Sequence, residues 1–274
     1  MLSRKLSVAG ALCLLTAFVI GLIGCGGNST FLGPGSNTVS NVRVFNGLIG
    51  SNANGANGIN VRLRQASTTS VNVTPVVYNA ASANHQTSSG DGQNTYLFLS
   101  NSQTPIATQS LDFAPNDITA NTTGQLLIAT GVVGQTGIGI QPQILRVPTS
   151  VPIALIRTNG NPNSNALLRV VNAAPGTNGI TLYNEQGPVP FTDLSNITFG
   201  NYSSGGQTSS NYATLTAGSY NITVRDSQSG GILVNSLNVT LQPGDAYTLV
   251  VLGSPVSVYS TPVTVALLQD YPLQ

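Results

Sequence analysis

The sequence predicts an all-β fold: two tandem Ig-like antiparallel β-sandwich domains behind an N-terminal export signal. Three observations predict it. Short segments of alternating apolar and polar residues recur between Gly, Pro and Asn turns. Only 6% of the 274 residues are charged and 41% are hydrophobic, where an average soluble domain has about 25% charged residues. Several short motifs occur twice, in the same order. The 28 Asn outnumber the nine Lys+Arg and eight Asp+Glu together. So little basic charge excludes a nucleic-acid binder that neutralises phosphates. Near-zero net charge with ordinary apolar content excludes a charge-driven disordered chain.

Met1–Gly24 reads as a signal peptide, with Arg4 and Lys5 before the apolar run Leu6–Gly24. Leu22-Ile23-Gly24-Cys25 resembles a bacterial lipobox. That resemblance implies cleavage between Gly24 and Cys25 and acylation of the Cys25 thiol, with the chain then held by two or three acyl chains. Gly26 stands where an Asp would imply inner-membrane retention, so the outer membrane is favoured. Residues 25–40 then form a lipidated, flexible tether. Cleavage leaves seven Arg, no Lys and one Cys in residues 25–274. A disulfide, a cysteine nucleophile and a zinc–thiolate site are thereby excluded.

Residues 41–158 and 167–274 read as the two sandwich domains, joined by a linker at 159–166 rich in Asn, Gly and Pro. Ile59-Asn60-Val61-Arg62-Leu63-Arg64 and Tyr220-Asn221-Ile222-Thr223-Val224-Arg225 alternate with period two, as half-buried strands do. Further strands are expected at Val42–Asn46, Val71–Tyr78, Thr95–Ser100, Gln125–Val133, Ile153–Arg157, Leu167–Asn172, Gly179–Tyr183, Leu233–Leu241, Ala246–Leu252 and Val263–Leu268. The repeated motifs set Val42-Arg43-Val44-Phe45-Asn46-Gly47 against Leu168-Arg169-Val170-Val171-Asn172-Ala173, and Asn57–Val61 against Asn178–Leu182. They also set Gln86–Ser89 against Gln207–Ser210, Ser110–Phe113 against Ser236–Val239, and Ala154–Ile156 against Ala266–Leu268.

The second copy resembles the bacterial family called domain of unknown function 4397. Leu168–Pro175, Phe199-Gly200-Asn201-Tyr202, Leu215–Arg225 and Leu241–Thr248 carry the resemblance. The first copy keeps the Arg43 strand and Gly124-Gln125-Leu126-Leu127 but has no clear Phe-Gly motif. The resemblance implies exported or surface-attached β-sandwich modules and implies no activity.

The inventory for catalysis is thin. His85, the single histidine, reads as an exposed loop residue matching Gly206. No G-x-S-x-G elbow occurs, and the absence of Lys after cleavage excludes a phosphate-loop lysine. Glu185 and Asp91, Asp112, Asp117, Asp193, Asp226, Asp245 and Asp270 are scattered, mostly beside turn residues. Asp226–Gly230 faintly resembles a calcium loop without its repeated acids. Gly131, Gly134, Gly137 and Gly139 read as a hairpin or loop. Arg43 and Arg169 read as a structural pair on an outer sheet face, with anion binding as the lesser alternative. No catalytic, cofactor-binding or metal-ligating residue is assigned, and no cofactor is expected.

These readings lead to an expectation of a non-enzymatic, lipid-anchored cell-envelope protein for binding, adhesion or scaffolding, facing the periplasm or the cell surface. Its partners would be the membrane, through the lipid, and an envelope protein or glycan. Tyr202 and Tyr212 are expected on the neutral surface that meets it. The alternative is a carbohydrate-binding module or a carboxylate-based polysaccharide hydrolase.

Overall fold

Among the described residues, the longest apolar runs become strands with no solvent face. In a strand, successive side chains point to opposite sides, so a continuous apolar run fits only where both sides are covered. The computed structural model describes residues 39–50, 59–64, 71–82, 85–88, 94–99, 105–111, 124–137, 139–148, 150–187, 189–204, 211–259 and 261–271. Among these residues the chain is all-β, with only three short 3-10 turns.

The first half holds β1 (Val39–Ile49), β2 (Ile59–Arg64), β3 (Val71–Val76), β4 (Ala80–Ala81), β5 (His85–Ser88), β6 (Asn94–Leu99), β7 (Pro105–Leu111), β8 (Gly124–Val132) and β9 (Gln143–Pro148). A small hairpin follows, β10 (Arg157–Thr158) with β11 (Asn161–Pro162). The second half holds β12 (Asn165–Asn172), β13 (Ile180–Asn184), β14 (Val189–Pro190), β15 (Ala213–Thr216), β16 (Gly218–Asp226), β17 (Ile232–Leu241), β18 (Ala246–Leu252) and β19 (Thr264–Tyr271).

Each half has two sheets. In the first half they run β4-β1-β8-β9, with β5 also on β1, and β3-β2-β6-β7. In the second they run β15-β12-β18-β19 and β14-β13-β16-β17. Pairing is antiparallel except that β1 lies parallel to β8, and β12 parallel to β18.

The two halves repeat the same bonds. The Asn46 side chain donates Nδ2 to the Val76 carbonyl and accepts from the Leu48 N–H; Asn172 does the same with Ile197 and Ala174. Ser82 Oγ accepts from Val44 N–H as Ser203 Oγ accepts from Val170 N–H. Asn79 N–H reaches the Asn46 carbonyl as Gly200 N–H reaches that of Asn172. Asn79 and Gly200 both have left-handed φ, 60° and 82°. Asn is one of the few side-chain-bearing residues that adopt this conformation readily. Tyr78-Asn79 thus stands where the second half has Phe199-Gly200.

β12 alternates between two cores. Ala166, Leu168 and Val170 face the interior of the second half, packed with Ile180, Leu182, Ile222 and Val224 of the facing sheet. On its other side, Val171 joins Ala173, Val250, Leu252 and Leu268 against Phe45, Leu126, Ile128, Leu145 and Val147 of the first half. The sheets β4-β1-β8-β9 and β15-β12-β18-β19 therefore pack face to face, and Asn37–Gln274 forms a single compact unit.

Several expectations differ from this structure. Ile153–Leu155 forms a 3-10 turn rather than part of a strand at Ile153–Arg157. The register makes β9 the counterpart of β19, since Leu126 pairs with Val147 as Thr248 pairs with Leu268. The match of Ala154–Ile156 to Ala266–Leu268 is therefore coincidental. His85 lies in β5 opposite Val42, not in a loop, and its counterpart is Ala213 opposite Leu168 rather than Gly206. A strand forms there because the edge of β1 offers a ladder that local sequence does not announce. β1 begins at Val39, within the stretch read as tether, and β12 begins at Asn165, within the stretch read as linker. The signal peptide, Gly24 and Cys25 lie outside the described residues.

Candidate functional site

A buried polar cluster sits between the two halves. Arg43 is the fifth residue of β1 and Arg169 the fifth of β12. Each projects from its own half toward the other. Arg169 is wholly buried, and a buried guanidinium must find acceptors for its donors. Its Nε donates to Thr248 Oγ1 at 2.6 Å, Nη1 to the Pro148 carbonyl of the first half at 2.5 Å, and Nη2 to Asp270 Oδ2 at 3.4 Å. Its guanidinium lies 4.7 Å from the centre of the Tyr212 ring. Arg43 Nη1 donates to the Gln269 carbonyl of the second half at 2.6 Å and lies 3.9 Å from Asp270 Oδ1.

These contacts are reciprocal. Pro148 pairs with Gln125 on β8, and Gln269 pairs with Tyr247 on β18, so the two carbonyls hold equivalent places. Asp270 gathers the rest: Tyr212 Oη and Thr248 Oγ1 both donate to its Oδ2. Burial pushes the Tyr212 hydroxyl well above the usual phenol range, opposed by the charge of Arg169. Tyr78, packed at the edge of the shared core, is pushed up to about 12 by burial. Arg169, Tyr212, Thr248 and Asp270 are each nearly or wholly inaccessible. The cluster can hold two sheets in register, but presents no reacting atom to a substrate.

Arg43 and Arg169 therefore do form a pair on outer sheet faces, and those faces meet each other. Tyr212 differs from expectation. It is buried, with its ring under Arg169, because the Asp270 carboxylate supplies an acceptor for its hydroxyl inside the core. Tyr202 is half-buried against the shared core. Asp270, Tyr212 and Thr248 were not legible as a cluster. The one signal was that Asp270 ends an apolar strand rather than flanking a turn.

The other acids have structural partners. Asp226 Oδ1 accepts from Gln228 N–H, Ser229 N–H and Ser229 Oγ, and Oδ2 accepts from Asn178 N–H. These donors, the Ser229 N–H foremost, hold its carboxyl below the usual carboxylate range. The oxygens meet hydrogen donors, so the segment is an Asx-type turn rather than a calcium loop. Glu185 accepts from Arg225 Nη2 at 3.3 Å, and Arg225 stacks 4.6 Å from the Tyr183 ring centre. Asp245 accepts from Tyr247 and from Gln269. Asp193 lies in a 3-10 turn. Asp91, Asp112 and Asp117 lie outside the described residues. Among the described residues, no three His, Cys, Asp or Glu side chains gather as a metal site would require. Nor is any helix there long and apolar enough to cross a membrane.

Gly131 and Gly253 occupy equivalent places at the ends of β8 and β18. Their φ values are +104° and +83°, and a Cβ would sit 2.2 Å from the Gln141 carbonyl oxygen or 2.1 Å from that of Pro262. The Gly-rich stretch from Gly131 is the turn between β8 and β9.

Residues 166–272 match the model of the family described as Domain of unknown function (DUF4397), so the second half carries one such domain. No curated protein matches the chain. Solved structures with some likeness include a candidate cell adhesion protein from Bacteroides eggerthii, at 12% identity and a TM-score of 0.19, over 89% of this chain and 97% of that one. Another is a fimbrial assembly protein from Parabacteroides distasonis, at 12% identity and a TM-score of 0.16, over 84% of this chain and 99% of that one.

Proposed function

We propose that this chain is a lipid-anchored cell-envelope protein whose two β-sandwich modules act as one rigid, non-enzymatic binding or spacing element. The first half is read as a divergent second copy of the domain matched in residues 166–272. The reading is carried by the shared core with its reciprocal arginines. The conspicuous polar chemistry holds module to module, as a spacer requires. The repeated Asn46 and Asn172 bonds support common descent of the halves.

Anchoring rests on Leu22-Ile23-Gly24-Cys25 and on the basic, then apolar, stretch before it. Acylation of Cys25 and cleavage after Gly24 would leave the modules at an envelope membrane, the outer one by the resemblance of Gly26. The test is metabolic labelling with a clickable fatty acid, followed by membrane fractionation, of wild type and Cys25→Ala. Label and membrane retention are expected in wild type alone. Equal labelling of both would refute the anchor.

A further inference from the structure

Two modules in tandem can stand end to end or side by side, and strand direction decides between them here. β1 lies parallel to β8, and β12 parallel to β18. Across the shared core, Arg43, early in β1, donates to the Gln269 carbonyl of β19, beside the start of β18. A Cβ on Gly47, later in β1, would lie 3.7 Å from Leu252, at the end of β18. Arg169, early in β12, reaches the Pro148 carbonyl beside the start of β8. Thr130, late in β8, donates to the carbonyl of Ala173, just past the end of β12. β1, β8, β12 and β18 therefore run the same way, in aligned packing.

The modules thus share two ends. At one, the base, lie Val39, where the described chain begins, the starts of β8, β12 and β18, and the turn at 242–245. The β10–β11 hairpin lies there too, since a Cβ on Gly244 would be 2.6 Å from its Pro162. At the other end, the tip, lie the turns after β8 and β18, built around the equivalent Gly131 and Gly253. A Cβ on Gly176 would lie 2.9 Å from Val256 in the second of them. The like turns of the two modules come out side by side, facing one way.

Chain connectivity selects the end that meets a membrane. Thirteen residues, 26–38, separate Cys25 from Val39, and they are rich in Gly, Ser, Thr and Asn. A chain of that length and composition spans about 20 Å on average, at about 5–6 Å times the square root of the number of residues. The 11 residues of β1, at about 3.3 Å each, put the tip about 35 Å beyond the base. For the tip to touch the bilayer, this segment would have to be drawn out along the whole flank of the module, far past its average span. The base needs no such extension. Arg157, half-exposed in the hairpin beside the Tyr271 ring, also offers anionic headgroups a cation there.

We propose that the base of the paired modules faces the lipid surface, within the span of residues 26–38, and that the tip presents the like turns of both modules together, away from it. The proposal rests on the acylation of Cys25 argued above and deepens that reading. Side by side, two modules add breadth to the presented surface rather than height, which serves a binding element more than a spacer. The test is energy transfer in the acylated full chain on vesicles of phosphatidylethanolamine and phosphatidylglycerol, from a dye on one introduced cysteine to an acceptor carried on the lipid headgroups. Acylation occupies Cys25, the one cysteine of residues 25–274, so each dye sits at one place. Gln242→Cys and Ser164→Cys put it at the base, and Gln135→Cys and Ser257→Cys at the tip; all four residues are exposed. Transfer should be several-fold stronger from the two base positions than from the two tip positions, and alike at Gln135 and Ser257. Equal transfer from base and tip, or stronger transfer from the tip, would overturn the orientation and leave the anchor standing. Strong transfer from Gln135 with weak transfer from Ser257, as modules stacked end to end would give, would also overturn it. Transfer at every position no greater than in the same variants carrying Cys25→Ala would overturn the anchor, and the proposal with it.

Discussion

Arg43 and Arg169 hold equivalent places in two strands 126 residues apart, and each donates Nη1 to a backbone carbonyl of the opposite half. The acceptors, Gln269 and Pro148, are themselves equivalent. The two contacts mirror one another across the face that the two halves share. Its asymmetric part is Asp270, whose carboxylate serves Arg169, Tyr212 and Thr248 and lies near Arg43.

Removing that carboxylate should be costly. Asp270→Asn would leave the buried Arg169 charge without its counter-ion. Breaking a buried pair from one side typically costs about 3–5 kcal/mol. Urea denaturation should show a loss of that order. Arg169→Met together with Asp270→Leu, which removes both charges, should recover much of it.

The paired asparagines give an internal control. Asn46→Ala would remove the side-chain donor to the Val76 carbonyl and the acceptor of the Leu48 N–H, and Asn172→Ala those of the Ile197 carbonyl and the Ala174 N–H. An unsatisfied buried polar group costs about 1–3 kcal/mol. Both variants should lose stability of that order in thermal unfolding, because each breaks an equivalent pair of bonds, and Asn172→Ala gives up the contact with Thr177 as well.

Gly253→Ala should be severe and Gly134→Ala mild. The first places a Cβ 2.1 Å from the Pro262 carbonyl oxygen, whereas nothing lies within 4 Å of the second. Left-handed strain in a non-glycine residue costs about 1–3 kcal/mol, and overpacking adds about 1–3 kcal/mol. Gly134→Ala carries only the strain of its φ. Soluble yield and melting temperature should separate the two.

Acid should weaken the second half through Asp226. Its carboxyl is held below the usual range by the Ser229 N–H and its neighbours. A carboxyl depressed on folding contributes stability that is fully present above its unfolded value, near pH 4. That stability is lost as pH falls through the lower folded value. Asp226→Asn should therefore flatten the acid limb of the stability profile without changing its shape near neutrality.

Much of the architecture was legible in local sequence. β2 and β18 have the bounds that alternation and the apolar run predict, and most other predicted strands differ by one to three residues. The Arg inside an apolar strand, seen twice, marked the face that became the interface. What stayed hidden depends on distant partners. Asp270 lies 101 residues from Arg169, and no local pattern links them. β9 and β15 are short, six and four residues, and they form because β8 and β12 offer edges to pair with. Tyr212 looked like a surface aromatic because nothing nearby in sequence reveals the acceptor that buries its hydroxyl.

The central claim is that the two modules are one body. Pulsed electron spin resonance between labels at Gln135→Cys and Ser257→Cys, in the exposed turns after β8 and β18, tests it most directly. A single narrow distance distribution is predicted, broadening in Asp270→Asn. A broad distribution in the otherwise unaltered protein, as two domains on a free linker would give, would contradict it.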